Sequence, residues 1–352
     1  MTTTASPPGT SFADVRAELV DAGLTLVRAW PRSPEHLLLD VRRDDRRIAG
    51  QWCADPDDAA RTARRTPDAT SAGRLVLQPD GADRRLPGLA ALVAQPGSRL
   101  VGHRPERRAV VEVEDAVEGD GGGRHFVKVV PPAKQPALLA GAQRASALAL
   151  RTPVVRSADE AAGTVATEPL PGTPLTEWLG GADFDVALTA AGTALARLHA
   201  LTPPSGLGEH DAAAERAVTA RWTGFADAFG LDHGPDDEPA APPSPRRPVL
   251  VHRDVHDGQL LLAPGPDGPE PGVLDFDLMA LGDPALDLAN LVAHLELRAR
   301  QGVLADAAAA TASLLAAYQP DAGIRAALPS YLALARHRLR CVYGFRATDV
   351  VT

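Results

Sequence analysis

Val249-Leu250-Val251-His252-Arg253-Asp254-Val255-His256-Asp257-Gly258-Gln259-Leu260-Leu261-Leu262 opens on three apolar residues, crosses a polar turn and closes on three more. Apolar runs this short, bounded by turn residues, read as buried strands, so the polar stretch is a strand-to-strand connection. Val273-Leu274-Asp275-Phe276-Asp277 repeats the apolar-to-acidic ending a little further on. The two stretches together predict carboxylates gathered at strand ends.

Phosphoryl transfer asks little covalent help of a protein. It needs a carboxylate to accept the attacking hydroxyl's proton, and hard oxygen ligands to hold magnesium against the phosphates. Asp254 is the candidate base, and Gln259 and Asp275 are the candidate metal ligands. The Asp254-to-Gln259 separation equals the Asp-to-Asn spacing of the H-R-D-x-x-x-x-N loop, with Gln for Asn, and Asp275-Phe276-Asp277 stands in the place of D-F-G. Each half is suggestive; the combination is specific.

These residues resemble the aminoglycoside phosphotransferase family, which includes choline, maltose and glucosamine kinases. The family pattern runs His-x-Asp-x-His-x-x-Asn/Gln, then Asp-Phe-Asp after an apolar residue, then Gly-Asp-Pro-x-x-Asp-Leu-Ala. This chain has His252, Asp254, His256 and Gln259, then Leu274 to Asp277, then Gly282-Asp283-Pro284-Ala285-Leu286-Asp287-Leu288-Ala289. Upstream, Phe126-Val127-Lys128-Val129 resembles the third-strand lysine motif, and Leu195 to Leu201 the helix ending in Leu-His. Glu168-Pro169-Leu170-Pro171-Gly172 resembles the hinge, where backbone at Glu168 and Leu170 would meet adenine. The resemblance implies ATP and Mg2+, an α+β bilobal protein-kinase-like fold with a β-rich N-lobe and a helical C-lobe, and transfer to a hydroxyl of an aminoglycoside, amino sugar or sugar. It implies three segments: an N-terminal α+β cap over 1–97, an N-lobe over 98–170 and a C-lobe over 171–352. Two features depart from the pattern. No acidic residue lies between Lys134 and Arg151, so Gln143 stands for the glutamate that usually orients the lysine, and the hairpin at Arg104-Pro105-Glu106 has no glycine-rich loop.

Other readings compete with these. His252 serves as a buttress, His256 touches phosphate or substrate or supports the loop, Asp277 assists a metal or caps, and Asp283 and Asp287 are structural, with Asp283 as N-cap of the helix from Ala285. A metallohydrolase would use His252, Asp254 and His256 alternating on a strand. A nucleotide-binding pseudokinase or regulator would keep the fold without turnover.

The 352 residues carry a formal charge of −9, which argues against nucleic acid and suits an amino-bearing acceptor. Cys53 and Cys341 are far apart, so neither a disulfide framework nor a zinc motif is expected, and the cytoplasm is the expected location. The apolar run from Leu286 to Leu297 is broken by Asp287, Asn290, His294 and Glu296, so no membrane-spanning helix is expected. The first ten residues read as a frayed tail, and Leu231 to Pro248 as an exposed loop. Helices are predicted over Phe12–Val20, Asp55–Arg65, Ala137–Leu150 and Ala187–Leu201, the last with Leu188, Leu195 and Leu198 on one face. Strands are predicted over Leu24–Ala29, His36–Val41, Arg47–Cys53, Arg74–Gln78, Leu100–His103, Arg108–Glu114, Arg124–Val130 and Gly163–Glu168, with a turn at Pro31-Arg32-Ser33-Pro34. Sequence leaves the oligomeric state open.

Overall fold

The computed structural model describes residues 10–115, 123–234, 247–266 and 268–347. The N-terminal tail before Thr10, the turn at Asp120-Gly121-Gly122 and most of the loop from Leu231 to Pro248 lie outside the described residues.

The chain opens with helix α1 (Phe12–Asp21), where Ser11 and Asp14 form a reciprocal box: the Asp14 N–H donates to the Ser11 hydroxyl at 3.2 Å and the Ser11 N–H to the Asp14 carboxylate at 2.9 Å. Strands β1 (Thr25–Ser33), β2 (His36–Arg43) and β3 (Arg46–Cys53) follow, then α2 (Pro56–Arg64), β4 (Thr70–Ala72) and β5 (Leu75–Gln78). They form one antiparallel sheet in the order β1-β2-β3-β5-β4. Strand β1 continues through Pro31-Arg32-Ser33 of the predicted turn, with a break in register between Pro31 and Ser33, and the chain reverses at Pro34-Glu35. Its edge position explains this, because a proline on an edge leaves no ladder bond unmade.

After the short helix α3 (Leu89–Val93) come β6 (Arg99–Arg104), β7 (Arg108–Glu114), β8 (Arg124–Val129), α4 (Gln135–Ser146), β9 (Val155–Asp159) and β10 (Thr164–Thr167). The second antiparallel sheet is ordered β6-β7-β8-β10-β9. Its inward valines, Val111, Val113, Val127 and Val129, pack with Leu86 and Leu89. The remainder is mostly helical: β11 (Thr173–Pro174), α5 (Phe184–Ala200), β12 (Glu209–His210), α6 (Ala212–Ala228), β13 (Val249–Val251), β14 (Leu260–Ala263), β15 (Glu270–Val273), β16 (Ala280–Gly282), α7 (Ala285–Arg300), α8 (Ala307–Tyr318) and α9 (Ala322–Gly344). Leu188, Leu195 and Leu198 of α5 are fully buried against Leu250, Leu260, Val273 and Leu288, each contributing about 2 kcal/mol through removal from water. The result is a bilobal, protein-kinase-like α+β fold with an additional N-terminal α+β cap. Among the described residues, no helix is long and apolar enough to cross a membrane.

The cap is fastened to both lobes. Phe12, Leu26 and Trp52 share one core with Phe229, just beyond α6, and Phe345, just beyond α9. The Phe12 and Phe345 rings meet edge-on at 5.1 Å between centroids. The Ala29 N–H donates to the Phe345 carbonyl at 2.7 Å, so the segment just after α9 lies along β1 as an extra rung. On the other side, the β6–β7 turn is held by Glu106, a buried carboxylate that accepts from Arg32 at 2.7 Å and Arg84 at 2.6 Å. The Glu106 N–H in turn donates to Asp83 at 2.6 Å. This hairpin's turn, which has no glycine, is therefore pinned.

Candidate active site

The polar loop from His252 to Gln259 is gripped by one face of α7. Asp287 is wholly buried; its two carboxylate oxygens accept the His252 and Arg253 N–H groups, each at 2.7 Å. One turn on, Asn290 donates to the Arg253 carbonyl at 2.8 Å. His294 stacks on His256 at 5.0 Å, and Arg298 forks onto the buried Asp257 at 2.6 and 3.3 Å. Positions 287, 290, 294 and 298 recur at three- and four-residue steps, so they project from one side of the helix. Behind them, His199 of α5 donates from Nε2 to Asp287 at 3.1 Å while its Nδ1 meets the Tyr318 hydroxyl at 2.7 Å. Burial opposes ionisation of Asp287, yet the His199 hydrogen bond and charge and the donors at His252 hold its carboxyl below the usual range.

Clamped at both its N–H and its carbonyl, Arg253 takes φ 73°, a left-handed conformation that costs a non-glycine residue about 1 kcal/mol or more. That bend directs Asp254, which is half-buried and whose carboxylate accepts no hydrogen bond from the described residues.

Leu274 ties this loop to the second acidic stretch. His252 Nε2–H donates to the Leu274 carbonyl at 2.7 Å, which leaves Nδ1 to accept the Asp254 N–H at 3.3 Å. The Leu274 N–H donates to the Gln259 carbonyl at 2.9 Å, in register with the β14–β15 pair Leu260 and Val273. Backbone from the Asp254 loop, Gln259 and the approach to Asp275 is thus joined at one residue. Asp275 itself adopts φ 61° and ψ 58°, and its carboxylate meets the Lys128 ammonium of β8 at 2.7 Å. Lys128 also donates to Asp277 at 2.8 Å, and Arg108 of β7 lies 3.8 and 3.6 Å from the two carboxylates. Burial works against the charge on Asp275, but Lys128 and Arg108 outweigh it and hold this carboxyl well below its ordinary range. Asp277 moves up instead, because burial and the Asp275 charge together exceed the pull of Lys128. Lys128 is raised: its two carboxylates more than offset its burial.

The other sequence-derived candidates fall as follows. Glu168 donates its N–H to the Val154 carbonyl at 2.9 Å and has Arg156 3.8 Å from its carboxylate. Leu170 lies against Gly272 so closely that a Cβ there would sit 2.7 Å from the Leu170 side chain. Gly172, at φ 131°, turns the chain toward β14. Gln143 is exposed and makes no contact with Lys128, whose partners are Asp275 and Asp277. Asp283 accepts the Ala285 N–H at 2.9 Å from the position before the N-cap, which is Pro284 and not Asp283 as the sequence suggested. The alternation of His252, Asp254 and His256 on a strand does not form. Strand β13 ends at Val251, the bend at Arg253 breaks the period, and the Nδ1 atoms of both histidines accept backbone N–H groups. The clamp on α7 was missed by sequence reasoning. Its signal was visible as the polar residues that interrupt an apolar helix at helical spacing.

A search of curated proteins gave no match to the sequence. Among solved structures, an aminoglycoside phosphotransferase from Streptomyces rimosus is 20% identical with a TM-score of 0.50, covering 71% of this chain and 94% of its own. A choline/ethanolamine kinase family protein from Mesorhizobium loti is 17% identical with a TM-score of 0.46, covering 71% of this chain and 82% of its own. An ethanolamine kinase from Plasmodium vivax is 10% identical with a TM-score of 0.44, covering 74% and 80%. At such identities the first likeness is one of fold. The sequence match is more specific: residues 112–325, well over half of the chain, fit the model of the phosphotransferase enzyme family. With that span taking in Lys128, the Asp254 loop and Asp275, the chain belongs to the phosphotransferase enzyme family and is a small-molecule kinase acting on a hydroxyl.

Proposed function

We propose that the chain transfers the γ-phosphoryl group of ATP to a small-molecule hydroxyl, with Asp254 as base, Lys128 on the phosphates, and Gln259 and Asp275 as magnesium ligands. The acceptor oxygen attacks the γ-phosphorus, the bond from that phosphorus to the ADP oxygen breaks, and the hydroxyl proton passes to Asp254. ADP leaves with the electron pair of the broken bond. Asp254 suits its part because its carboxylate is uncommitted while its backbone is fixed through His252, Arg253 and Asp287.

The donor set fits magnesium: an amide oxygen at Gln259 and carboxylates at Asp275 and Asp277 are hard ligands, and the raised carboxyl of Asp277 marks a pair of like charges that favours a further cation. Bound there, the ion would neutralise charge developing on the phosphates. Lys128 now holds both carboxylates, and release of its ammonium to the phosphates is the change nucleotide binding would bring. At the hinge, the Glu168 N–H is engaged by Val154, which leaves the Glu168 carbonyl and the Leu170 N–H for an adenine edge. In this reading residues 1–97 are the cap, 98–170 hold the nucleotide and 171–352 hold the acceptor. An amino-bearing acceptor is favoured by the charge of −9 alone.

The observation that carries the reading is the junction at Leu274, which couples the Asp254 loop to the acidic turn that meets Lys128. ADP release in the presence of a panel of hydroxyl acceptors tests it. Asp254→Ala should lower kcat about 10²- to 10⁴-fold while Mg-ADP still binds. Equal loss of turnover and nucleotide binding in that variant removes Asp254 from the role of base, and Mg-ADP binding without ADP release on any acceptor supports a regulator instead.

A further inference from the structure

Four arginines come as two like-charged pairs, and one of them, Arg28, is close enough for the Asp254 charge to act on it. Arg104 and Arg108 are directly opposed in the β6–β7 ladder. Arg28 of the cap and Arg346 are opposed in the bridge that fastens β1 to the segment after α9. Like charges directly opposite destabilise a pair of strands, so two such pairs in one place call for a counter-charge.

Trp30 joins the pairs, with the Arg28 guanidinium 5.0 Å from its ring centre and the Arg104 guanidinium 5.5 Å. The Nε atoms of Arg28, Arg104 and Arg346 are buried and donate to nothing among the described residues. None of these three forms an ion pair with a described carboxylate, whereas Arg32 and Arg84 nearby both hold Glu106. Burial, with the fields of Arg346 and Arg108, pushes Arg28 down to about 10 against Tyr343 and Asp254. Burial, with Arg108, Arg28, Arg107 and Arg221, pushes Arg104 down to about 9. Asp254, the proposed base, is near enough for its charge to act on Arg28.

We propose that this arginine cluster is an oxyanion subsite for the acceptor, so that the molecule phosphorylated carries a phosphate or carboxylate group besides the hydroxyl that reacts. The proposal rests on Asp254 being the base. Arg104 and Arg108 belong to the sheet that carries Lys128, whereas Arg28 and Arg346 enter from the cap and from the segment just after α9, and it is these two that assign the cluster to the acceptor rather than to ATP. Arg108 alone reaches the Asp275–Asp277 turn and stands between the two ligands. Guanidinium forks match phosphate and carboxylate oxygens, and a cationic acceptor would be repelled here, contrary to what the net charge of the chain suggests.

Calorimetric titration of the full chain with inorganic phosphate, at saturating Mg-ADP, tests the subsite in the wild type, Arg28→Met and Arg104→Met. Methionine keeps an apolar stem on Trp30 and removes the charge. Phosphate is expected to bind the wild type with Mg-ADP in place and to bind each variant at least tenfold more weakly. Without phosphate, both variants should melt no lower than the wild type, since a repelling charge is gone. Phosphate that fails to bind, binds all three proteins equally or is displaced by Mg-ADP overturns the subsite while leaving the kinase reading intact. A chain that binds no Mg-ADP overturns that reading, and the acceptor assignment with it. In the ADP-release assay, sugar phosphates or sugar acids should exceed their neutral parents in kcat/KM, and Arg28→Met should raise the acceptor's KM with that of ATP unchanged. Turnover confined to neutral or cationic acceptors, indifferent to Arg28→Met, overturns the proposal.

Discussion

The loop that carries Asp254 and the N-terminal cap are built on opposite principles. The loop from His252 to Gln259 is short, polar and held almost entirely by side chains of α7: Asp287, Asn290, His294 and Arg298. The cap is held to the helical lobe through an aromatic core, in which Phe12, Trp52, Phe229 and Phe345 pack edge to face, and through the backbone rung between Ala29 and Phe345. The loop's precision comes from charge-assisted hydrogen bonds made in a dry interior, where each lost partner leaves a buried group unsatisfied. The cap's hold is apolar and spread over many contacts. Hydrogen-bond geometry thus positions the reacting carboxylate, while hydrophobic burial brings in a second wall that the catalytic motifs do not encode.

The strongest way to break this comparison is to empty the shared core. Phe345→Ala removes a fully buried ring that touches Phe12, Trp222 and Phe229, and should cost about 3 to 5 kcal/mol in denaturant unfolding. Since the cap and the C-terminal helices share that core, unfolding should remain one transition, shifted as a whole. Separate transitions, with the catalytic part unmoved, would show the cap to be an independent unit.

A smaller and more local effect should follow from Asp287→Asn. The amide keeps the shape but offers one oxygen and an NH2 group where His252, Arg253 and His199 all present donors. At least one buried donor then loses its acceptor, at about 1 to 3 kcal/mol. Turnover should fall with stability, because the bend at Arg253 and the aim of Asp254 depend on that carboxylate; Mg-ADP affinity should change little. Thermal melting with steady-state kinetics checks both, and a variant that melts like the wild type at full kcat would deny Asp287 its role.

The same contrast explains what the sequence disclosed. The loop was legible because its chemistry is local: Asp254, Gln259 and Asp275 lie at fixed spacings between apolar strands, and that spacing alone predicts a strand-end cluster. The buttressing reading of His252 could be drawn from sequence, but its acceptor, the Leu274 carbonyl, could not, since backbone groups carry no sequence signal. Most of the cap's helices and strands were legible from period and turn residues. The extension of β1 through Pro31 was hidden because edge position is a tertiary property. Arg28 was invisible as a functional candidate for the same reason: one arginine in a strand gains meaning when Arg346, more than three hundred positions away, is laid opposite it. Gln143 shows the converse error, a position chosen by homology of place whose side chain faces solvent while Lys128 finds carboxylates elsewhere.

The smallest expected effect is a pH dependence that separates the clamp from the cap. His294 is buried behind His256, and burial, together with the charges of His256 and Arg338, pushes it down to about 3 against the Asn290 carbonyl and Asp257. Between that value and the ordinary histidine range near 6.5, the unfolded chain binds a proton that the folded chain refuses, so stability rises with pH across the window. The contribution is complete above about pH 6.5 and is lost on acidification, at a rate approaching 1.4 kcal/mol per pH unit. His36 of the cap, also lowered by burial and by Arg32 against the hydrogen bond it donates to the Gln51 amide oxygen, acts with the same sign. The Asp257, Asp275 and Asp287 carboxyls, all held below their ordinary range, add their losses at lower pH, as the medium falls through the carboxylate range. Chemical denaturation between pH 7 and pH 4.5 should therefore show a slope that His294→Gln reduces by about one proton and His36→Gln reduces separately. If the slope survives unchanged in His294→Gln, the histidine behind the catalytic loop is accessible to protons, and the dry clamp that distinguishes the loop from the cap does not exist in solution.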